Sequence, residues 1–322
     1  MIVTFLVGAI ALATVFLFGC VGEIITEKAG HLNLGIPGIM CAGTAGGCLG
    51  VSLYMDSLAD AKSASWLWLI LISVVLAFLF AAALGAIYGF LTVTLRCNQN
   101  ITGLAVTIFG TGFTQFVMDT YVDRTHFEVA GKLISKGVPF ADKLGWFGDI
   151  FLSHGVLVYL SIVIAAVSAI VLKKTRLGLH LRAVGESPAT ADAAGINVTA
   201  YKYGAILVGS GIAGIGGLFY IMDYIKGSWE NASTIEALGW LSIALVIFTL
   251  WKPHFSIIGS IVFAALYIAA YVISGVTPIQ RELLKMLPYV ITVIVLIITS
   301  IIDSRENQPP ASLGLSYFRE ER

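Results

Sequence analysis

The residue types that most often carry out catalysis or bind metals are sparse in this 322-residue chain. Its histidines stand apart, without the H-E-x-x-H spacing of a zinc site: His31, His126, His154, His180 and His254. The sequence contains no G-x-S-x-G nucleophile turn and no G-x-x-x-x-G-K-[ST] phosphate loop. A G-x-G-x-x-G pattern at 209–214 lies inside an apolar stretch instead of following a strand, so it predicts helix packing and not nucleotide binding. We therefore predict that the chain is not an enzyme and binds no metal or cofactor itself.

Polar side chains that interrupt or border apolar stretches are the next candidates for function. Such groups are costly in lipid, so they tend to line a pathway or to pair with other parts of the protein. Both alternatives stay open for the two acids, and Asn98-Gln99-Asn100 is also compatible with a simple turn between helices. The candidates for a substrate pathway are Glu23, Asn33, Asn98, Asn100, Asp223 and Asn231.

A polar insert at residues 175–198 differs in composition from everything around it. Ser187 and Pro188 favour a helix start, because serine caps free amides and proline suits the first helical position. The alanine-rich run that follows favours helix, and Gly195 suits the left-handed residue that ends one. The sequence predicts a short helix at 188–194. Because this helix has almost no large apolar side chains, it is either an ordinary loop helix or an element that fits a groove on a partner.

Composition indicates the setting of these residues. Hydrophobic residues make up 58% of the chain and charged residues 12%, whereas soluble domains contain about 25% charged residues. The charges cluster between apolar runs long enough to cross a bilayer, which predicts an all-α membrane protein with about nine transmembrane helices. The net charge of +0 does not suggest a nucleic-acid partner. The predicted spans are roughly 2–21, 35–53, 66–95, 100–122, 155–172, 203–225, 236–251, 255–275 and 286–302.

Charge also predicts orientation and domain limits. The loop 173–202 has three basic residues directly at a helix end, so the positive-inside rule places it in the cytoplasm. Residues 1–302 then form the transmembrane domain, and 303–322 form a cytoplasmic C-terminal tail. The N-terminus and the loop 123–153 lie outside, and that loop is either a platform for a receptor or a helix on the membrane surface.

The two halves of the chain show a faint repeat. Residues 5–50 and 205–250 share the order of apolar helix, acidic and polar residues, and glycine-bearing apolar segment. By the count of spans, the first helix of each set runs in the opposite direction, which predicts an inverted repeat of the kind that builds transporters. Small residues four apart, such as Gly43 and Gly47, predict close contacts between helices.

Several segments together resemble a known family. The insert reads Gly178-x-x-x-Arg182-Ala183-Val-Gly185-Glu186-x-Pro188-x-x-Ala191-x-x-Ala194-Gly195-Ile196, and it resembles the coupling loop of bacterial ABC import permeases for sugars, nucleosides and branched-chain amino acids. The early segment Asn33-Leu-Gly35-Ile-Pro37-Gly38 and the tail Pro309-Pro-Ala-Ser-Leu-Gly314-Leu-Ser-Tyr317 are similar to nucleoside permeases that work with lipoproteins of the basic-membrane-protein family. Pro37 departs from that pattern, because an acidic residue is expected there.

The resemblance implies a permease fold and a set of partners. The chain would be a subunit of an ABC importer in the bacterial inner membrane, where it forms half of a pathway for nucleosides. A separate ATPase subunit would bind ATP and Mg²⁺, while a second homologous permease, giving a heterodimer, and a substrate-binding lipoprotein would complete the complex. The residues implied in coupling to the ATPase are Gly178, Arg182, Ala183, Gly185, Glu186, Pro188, Ala191, Ala194 and Gly195.

Two alternatives stay open for the function. The cargo of the importer could instead be a simple sugar or riboflavin, since a path with amides, aromatic residues and few charges suits all three. The chain could also be an ion-coupled secondary transporter, which would explain the inverted repeat and the buried acids but not the capped helix in the insert.

Overall fold

The computed structural model describes residues 2–139, 141–273, 275, 277–302 and 308–318, and every regular element in these ranges is helical. Wider turns of π type extend α3 to Thr94 and α10 to Tyr224. The α-helices are α1 (Ile2–Glu27), α2 (Ile36–Asp56), α3 (Trp66–Gly89), α4 (Gln99–Thr120), α5 (Phe127–Ile134), α6 (Gly145–Phe151), α7 (Val156–Lys174), α8 (Arg176–Glu186), α9 (Pro188–Ala193), α10 (Val198–Phe219), α11 (Ser233–Phe248), α12 (Pro253–Val272), α13 (Pro278–Lys285) and α14 (Leu287–Ile302).

The helices confirm a multi-pass membrane protein. Within the described ranges, eight helical stretches are long and apolar enough to cross a bilayer, and α11 is a further apolar helix of 16 residues. The expectation of about nine spans is therefore met if the shorter α11 also crosses. The stretch Trp66–Thr94 is continuous over 29 residues, as the long apolar run at 66–95 predicted.

The predicted polar connections contain more helix than expected. The helix that contains the predicted span 203–225 begins earlier, because α10 starts at Val198, where Asn197 Oδ1 accepts a hydrogen bond from the Ala200 amide at 3.0 Å. The segment 276–285 contains α13, which starts with a capping box formed by Thr277 and Gln280. The loop 123–153 contains α5 and α6, and the insert contains the unpredicted α8.

α2 and α10 form the centre of the bundle. In the most apolar part of each helix, 89% of the residues of α2 and 83% of those of α10 are buried. The corresponding share is 11% for Pro278–Ile301 at the periphery. Glycines allow this close approach, since a Cβ on Gly43 would lie 2.3 Å from the Gly214 Cα, and one on Gly217 would lie 2.2 Å from the Met40 carbonyl oxygen. The predicted close packing at Gly43 is confirmed.

The loops lie on two sides of the bundle because successive spans alternate in direction. α1, α3 and α7 end on the side that carries α8 and α9, where a Cβ on Gly185 would lie 2.3 Å from the Lys28 carbonyl oxygen. On the other side α5 packs against the turn after α10, where a Cβ on Gly131 would lie 2.6 Å from the Lys226 carbonyl carbon. These are called the α8–α9 side and the α5–α6 side below. α1 and α10 run in opposite directions, as the count of spans predicted.

α3 and α10 end with the same backbone geometry on opposite sides. In each turn one amide bonds a carbonyl five residues earlier and another bonds a carbonyl six residues earlier. The following basic residue, Arg96 or Lys226, has a left-handed φ of 58° or 52°. The bonded pairs are Leu95–Phe90 (3.0 Å) and Cys97–Leu91 (2.9 Å) after α3, and Ile225–Tyr220 (3.0 Å) and Gly227–Ile221 (2.7 Å) after α10.

Candidate functional site

A helical hairpin formed by α8 and α9 is the main feature of the α8–α9 side. Thr175 caps α8, and Ser187 Oγ caps α9 by accepting the Thr190 amide at 3.4 Å. Gly195 follows with a left-handed φ of 83°. The short helix predicted at 188–194 is confirmed as α9. The signal for α8 was present in the sequence as the cap residue Thr175, but the sequence interpretation placed no helix there.

The residues implied in coupling divide by burial. The buried ones hold the hairpin against the protein's own chain, since a Cβ on Gly178 would lie 2.1 Å from the Val171 carbonyl oxygen. The exposed ones remain available to a partner. Buried residues are Gly178, Gly185 and Ala191, half-buried residues are Ala183 and Pro188, and exposed residues are Arg182, Glu186, Ala194 and Gly195.

α9 has one buried face and one exposed face. Ala191 is buried in a small cluster with Val184 of α8 and Val198 of α10. The opposite face carries only small side chains, including the exposed Ala189 and Ala193. α9 is thus packed against α10 on one side, while its other side leaves a surface on which another backbone can approach closely.

The tail segment 308–318 joins the hairpin to the loop after α1 by hydrogen bonds to both. The Ser312 amide donates a hydrogen bond to the Gly185 carbonyl oxygen at 3.0 Å, and the Gly314 amide donates to the Gly30 carbonyl oxygen at 3.3 Å. The Tyr317 hydroxyl donates to Asp192 Oδ2 at 2.9 Å. The hairpin, the loop and the tail therefore form one connected unit. The rest of the predicted tail, at 303–307 and 319–322, lies outside the described residues.

Two of the predicted pathway residues, Glu23 and Asn33, lie together. Glu23 is fully buried in α1, and its Oε1 accepts the Asn33 amide at 2.9 Å. Asn33 Oδ1 in turn accepts the Gly35 amide at 2.9 Å. Glu23 Oε2 and Asn33 Nδ2 are buried without a hydrogen-bond partner among the described residues. The pair thus shapes the turn before α2 and keeps two polar atoms available near the α8–α9 side.

Asn98 and Asn100 are exposed at the start of α4, where Asn98 Oδ1 accepts the Ile101 amide at 3.1 Å. The residue between them is the buried one, because Gln99 Oε1 accepts the Leu32 amide at 2.8 Å. Adjacent residues on a helix face different directions, and the register depends on where α4 begins. The sequence interpretation therefore missed Gln99, the member of this group that faces inward.

Asp223 and Asn231 lie on the α5–α6 side. Asp223 is buried at the end of α10, and its Oδ2 has no hydrogen-bond partner in the described part of the chain. A Cβ on Gly155 would lie 2.1 Å from that oxygen, so glycine leaves the room for this carboxylate. Asn231 is exposed, and its Oδ1 accepts the Thr234 amide at 3.3 Å near the start of α11. The six candidates therefore belong to two groups on opposite sides.

Other polar contacts inside the bundle were not predicted. The Thr111 hydroxyl donates to Glu236 Oε2 at 3.1 Å and links α4 to α11. Trp251 Nε1 donates to the buried Glu27 carboxylate. Glu27 lies one helical turn after Glu23, which is a spacing that could have drawn attention to it. No comparable signal marks Glu236.

Pro37, which departs from the family pattern, lies in the first turn of α2. A Cβ on Gly239 of α11 would lie 2.5 Å from the Pro37 Cα. The position is thus a packing contact between α2 and α11 as well as a helix start.

His31 is buried beside these elements, in the loop between α1 and α2. Burial and the charge of Lys202 lower the pKa of His31 to about 3. The imidazole is therefore neutral at physiological pH, with one nitrogen as donor and the other as acceptor.

The fold and this site define a class of protein, a multi-pass helical membrane protein. Its central helix α10 follows a capped hairpin, in which α9 has an exposed face of small side chains. Comparison with protein families matches residues 5–296 to the family described as branched-chain amino acid transport system / permease component, and the chain belongs to that family.

Three curated relatives are similar over most of the chain. The nucleoside ABC transporter permease protein NupC of Lactococcus lactis subsp. cremoris (strain MG1363) is 31% identical over 88% of each chain. The putative glucose ABC transporter permease protein TsgC13 of Haloferax volcanii is 31% identical over 79% of this chain and 73% of its own. The guanosine ABC transporter permease protein NupQ of Bacillus subtilis (strain 168) is 27% identical over 94% and 92%.

These findings establish a permease subunit of an ABC transporter, which is a member of a transporter family and not an enzyme. The family implies ATPase and other permease subunits as partners.

Proposed function

We propose that the chain forms half of the translocation pathway of a nucleoside importer in the bacterial cell membrane, with the α8–α9 side in the cytoplasm. The observation that carries the proposal is the exposed small-sided face of α9 on a hairpin that is anchored to the bundle. The names of the relatives from Lactococcus lactis and Bacillus subtilis support nucleosides as the cargo.

Coupling in this proposal follows the packing of α9. A separate ATPase subunit binds ATP and Mg²⁺, and its motion displaces α9, which fits into a groove on that subunit. Ala191 transmits the displacement to Val198 at the start of α10, one of the two central helices. Gly185 transmits it to the loop after α1 through its contact with Lys28. Because packed elements shift as units, a small motion of α9 reaches the centre of the bundle.

The remaining partners lie elsewhere on the chain. A second, different permease subunit completes the pathway, as the implied heterodimer requires. A substrate-binding lipoprotein docks on the outer, α5–α6 side, where Trp146, Phe147 and Phe151 of α6 are exposed and pack on one another. Exposed aromatic residues suit a receptor platform, and they also suit a helix that lies on the membrane surface.

A simple sugar is the second candidate for the cargo, since the relative from Haloferax volcanii is named as a putative glucose permease. The pathway residues proposed for either cargo are Glu23, Asn33, Asn98, Asn100, Asp223 and Asn231, to which the buried Gln99 is added.

Uptake assays test this function directly. Cells that express this chain with its partner subunits are given labelled nucleosides, simple sugars and riboflavin, with cells lacking the chain as the control. We expect ATPase-dependent uptake of nucleosides. Uptake of sugars alone would show that the cargo is a simple sugar. Uptake that persists without a working ATPase would contradict the ABC mechanism.

A further inference from the structure

A polar cavity of about 430 Å³ lies on the α8–α9 side, where α9 meets α10. Its walls come from four distant parts of the chain. These are the loop after α1, the end of α3, the α9–α10 junction and the tail, represented by His31, Arg96, Asp192, Lys202 and Tyr317. Its volume is within the range of small-molecule sites, so it has room for more than a bare ion.

The cavity holds buried polar groups without partners. His31 is 1% exposed, and neither ring nitrogen has a hydrogen-bond partner among the described residues. Lys202 is 3% exposed, and no ion pair or hydrogen bond of its ammonium group is present in the described part of the chain. A lysine that is largely buried and has no partner for its charge is costly, and a bound anion would lower that cost.

The N-terminus of α10 adds to the attraction for negative charge. The first amides of a helix have no partner within it. Asn197 Oδ1 accepts the amide of Ala200, which leaves those of Val198 and Thr199, and both residues line the cavity. Free amides and the helix dipole favour phosphate at such a position.

Among the described residues that line the cavity, the charges are mainly positive. Arg96 lines it, and its guanidinium lies 4.7 Å from the centre of the Phe318 ring. Asp192 is the acid in the lining, and its Oδ2 already accepts the hydroxyl of Tyr317. An occupant with negative charge and hydrogen-bond acceptors is therefore favoured over a cation or a neutral molecule.

We infer that this cavity binds a phosphate-bearing molecule, with the phosphate group between Lys202, His31 and the first amides of α10. Inorganic phosphate, a soluble phosphate monoester of nucleotide size and an anionic lipid headgroup share this chemistry. Because the cavity joins the α9–α10 junction to the tail, an occupant stabilises the connection between the hairpin and the bundle. This inference is independent of the identity of the imported cargo.

Binding is measured by calorimetry on the complete transporter complex in phosphatidylcholine nanodiscs. The probes are inorganic phosphate and uridine monophosphate, and a second set of nanodiscs contains phosphatidic acid. We expect saturable binding that Lys202→Met weakens at least about tenfold, as expected for the loss of a charged hydrogen bond. Lys174→Met, which removes an exposed lysine outside the cavity, should leave binding unchanged.

Comparison of the probes also shows whether the bound phosphate belongs to a lipid or to a soluble molecule. Phosphatidic acid that competes with uridine monophosphate would point to a lipid headgroup, and a lack of competition would point to a soluble ester. The unliganded Lys202→Met variant should unfold at no lower temperature than the parent, because it removes the charge of a largely buried lysine that has no partner. The inference is wrong if no probe binds saturably, or if both lysine variants lose affinity equally.

Discussion

One helix ends on each side of the bundle with the same wide turn, α3 on one side and α10 on the other, but beyond these turns the two sides differ. On both sides a wide turn places a basic residue, Arg96 or Lys226, in a left-handed conformation. Beyond that turn the α8–α9 side is joined by backbone hydrogen bonds across distant parts of the chain, such as Ser312 to Gly185. Its helix α9 presents small side chains such as Ala189 and Ala193 to its surroundings. The α5–α6 side instead presents large aromatic side chains such as Trp146.

This difference suggests different tasks for the two sides. A backbone-bonded unit keeps its shape, and the small exposed side chains of α9 admit another backbone closely, as a docking element that transmits motion requires. A layer with exposed aromatic residues buries apolar surface against a receptor or the bilayer. Substitutions on the two sides should therefore have different effects on uptake and on stability.

The largest effect is expected from Gly185→Leu on the α8–α9 side. Its side chain would meet the Lys28 carbonyl oxygen, 2.3 Å from a Cβ, and would separate the hairpin from the loop and the tail. Uptake should fall to background while the protein still inserts into the membrane. The matched control is Gly204→Leu, because Gly204 has no atom within 4 Å of its Cβ position. Normal uptake by Gly185→Leu would show that the hairpin needs no such anchor.

A charged side chain on the exposed face of α9 should uncouple the transporter. Ala193→Arg keeps the helix but blocks close approach of a partner, so uptake should fall by about tenfold or more, equivalent to at least ~1.4 kcal/mol of lost coupling. ATP hydrolysis by the purified complex should continue. The same change on the other side, Val129→Arg at an exposed position of α5, should leave uptake coupled. Equal losses of uptake in both variants would show that the two sides do not differ in their role in coupling.

On the α5–α6 side, Gly155→Ala should destabilise the protein by about 1–3 kcal/mol through overpacking. The added Cβ would lie 2.1 Å from Asp223 Oδ2. Thermal unfolding of the detergent-solubilised protein measures the loss. Combining it with Asp223→Ala should recover part of the stability, because the clashing carboxylate is gone. Additive losses in the double variant would mean that the two residues do not interact.

The smallest effect is expected at Gly195. Its Cβ position is empty within 4 Å, so a substitution there costs only backbone strain at a φ of 83°. Gly195→Leu should lower stability by roughly 1–2 kcal/mol, and Gly195→Asn by less, because asparagine tolerates the left-handed region. Thermal unfolding of the two variants checks the order, and an equal loss would show that side-chain size matters here instead of strain.

Much of the fold follows from local patterns in the sequence. Length and hydropathy predicted the spans, and Ser187, Pro188 and Gly195 predicted α9, because these signals act within a few neighbouring residues. The internal organisation of the α8–α9 side was not predictable in this way. Which of Asn98, Gln99 and Asn100 faces inward depends on the register of α4, and the bond from Ser312 to Gly185 joins residues far apart in the chain. Such contacts depend on tertiary packing, which no local pattern encodes.

The central claim is that the exposed face of α9 contacts the ATPase subunit. Photo-crosslinking tests it most directly, with benzoylphenylalanine in place of Ala193 on α9 and, as the matched control, in place of Val129 on α5. After illumination of membranes that contain the complete transporter, the account predicts a crosslinked product with the ATPase from position 193 and none from position 129. A product with the ATPase from position 129, and none from position 193, would contradict both the docking role of α9 and the proposed orientation.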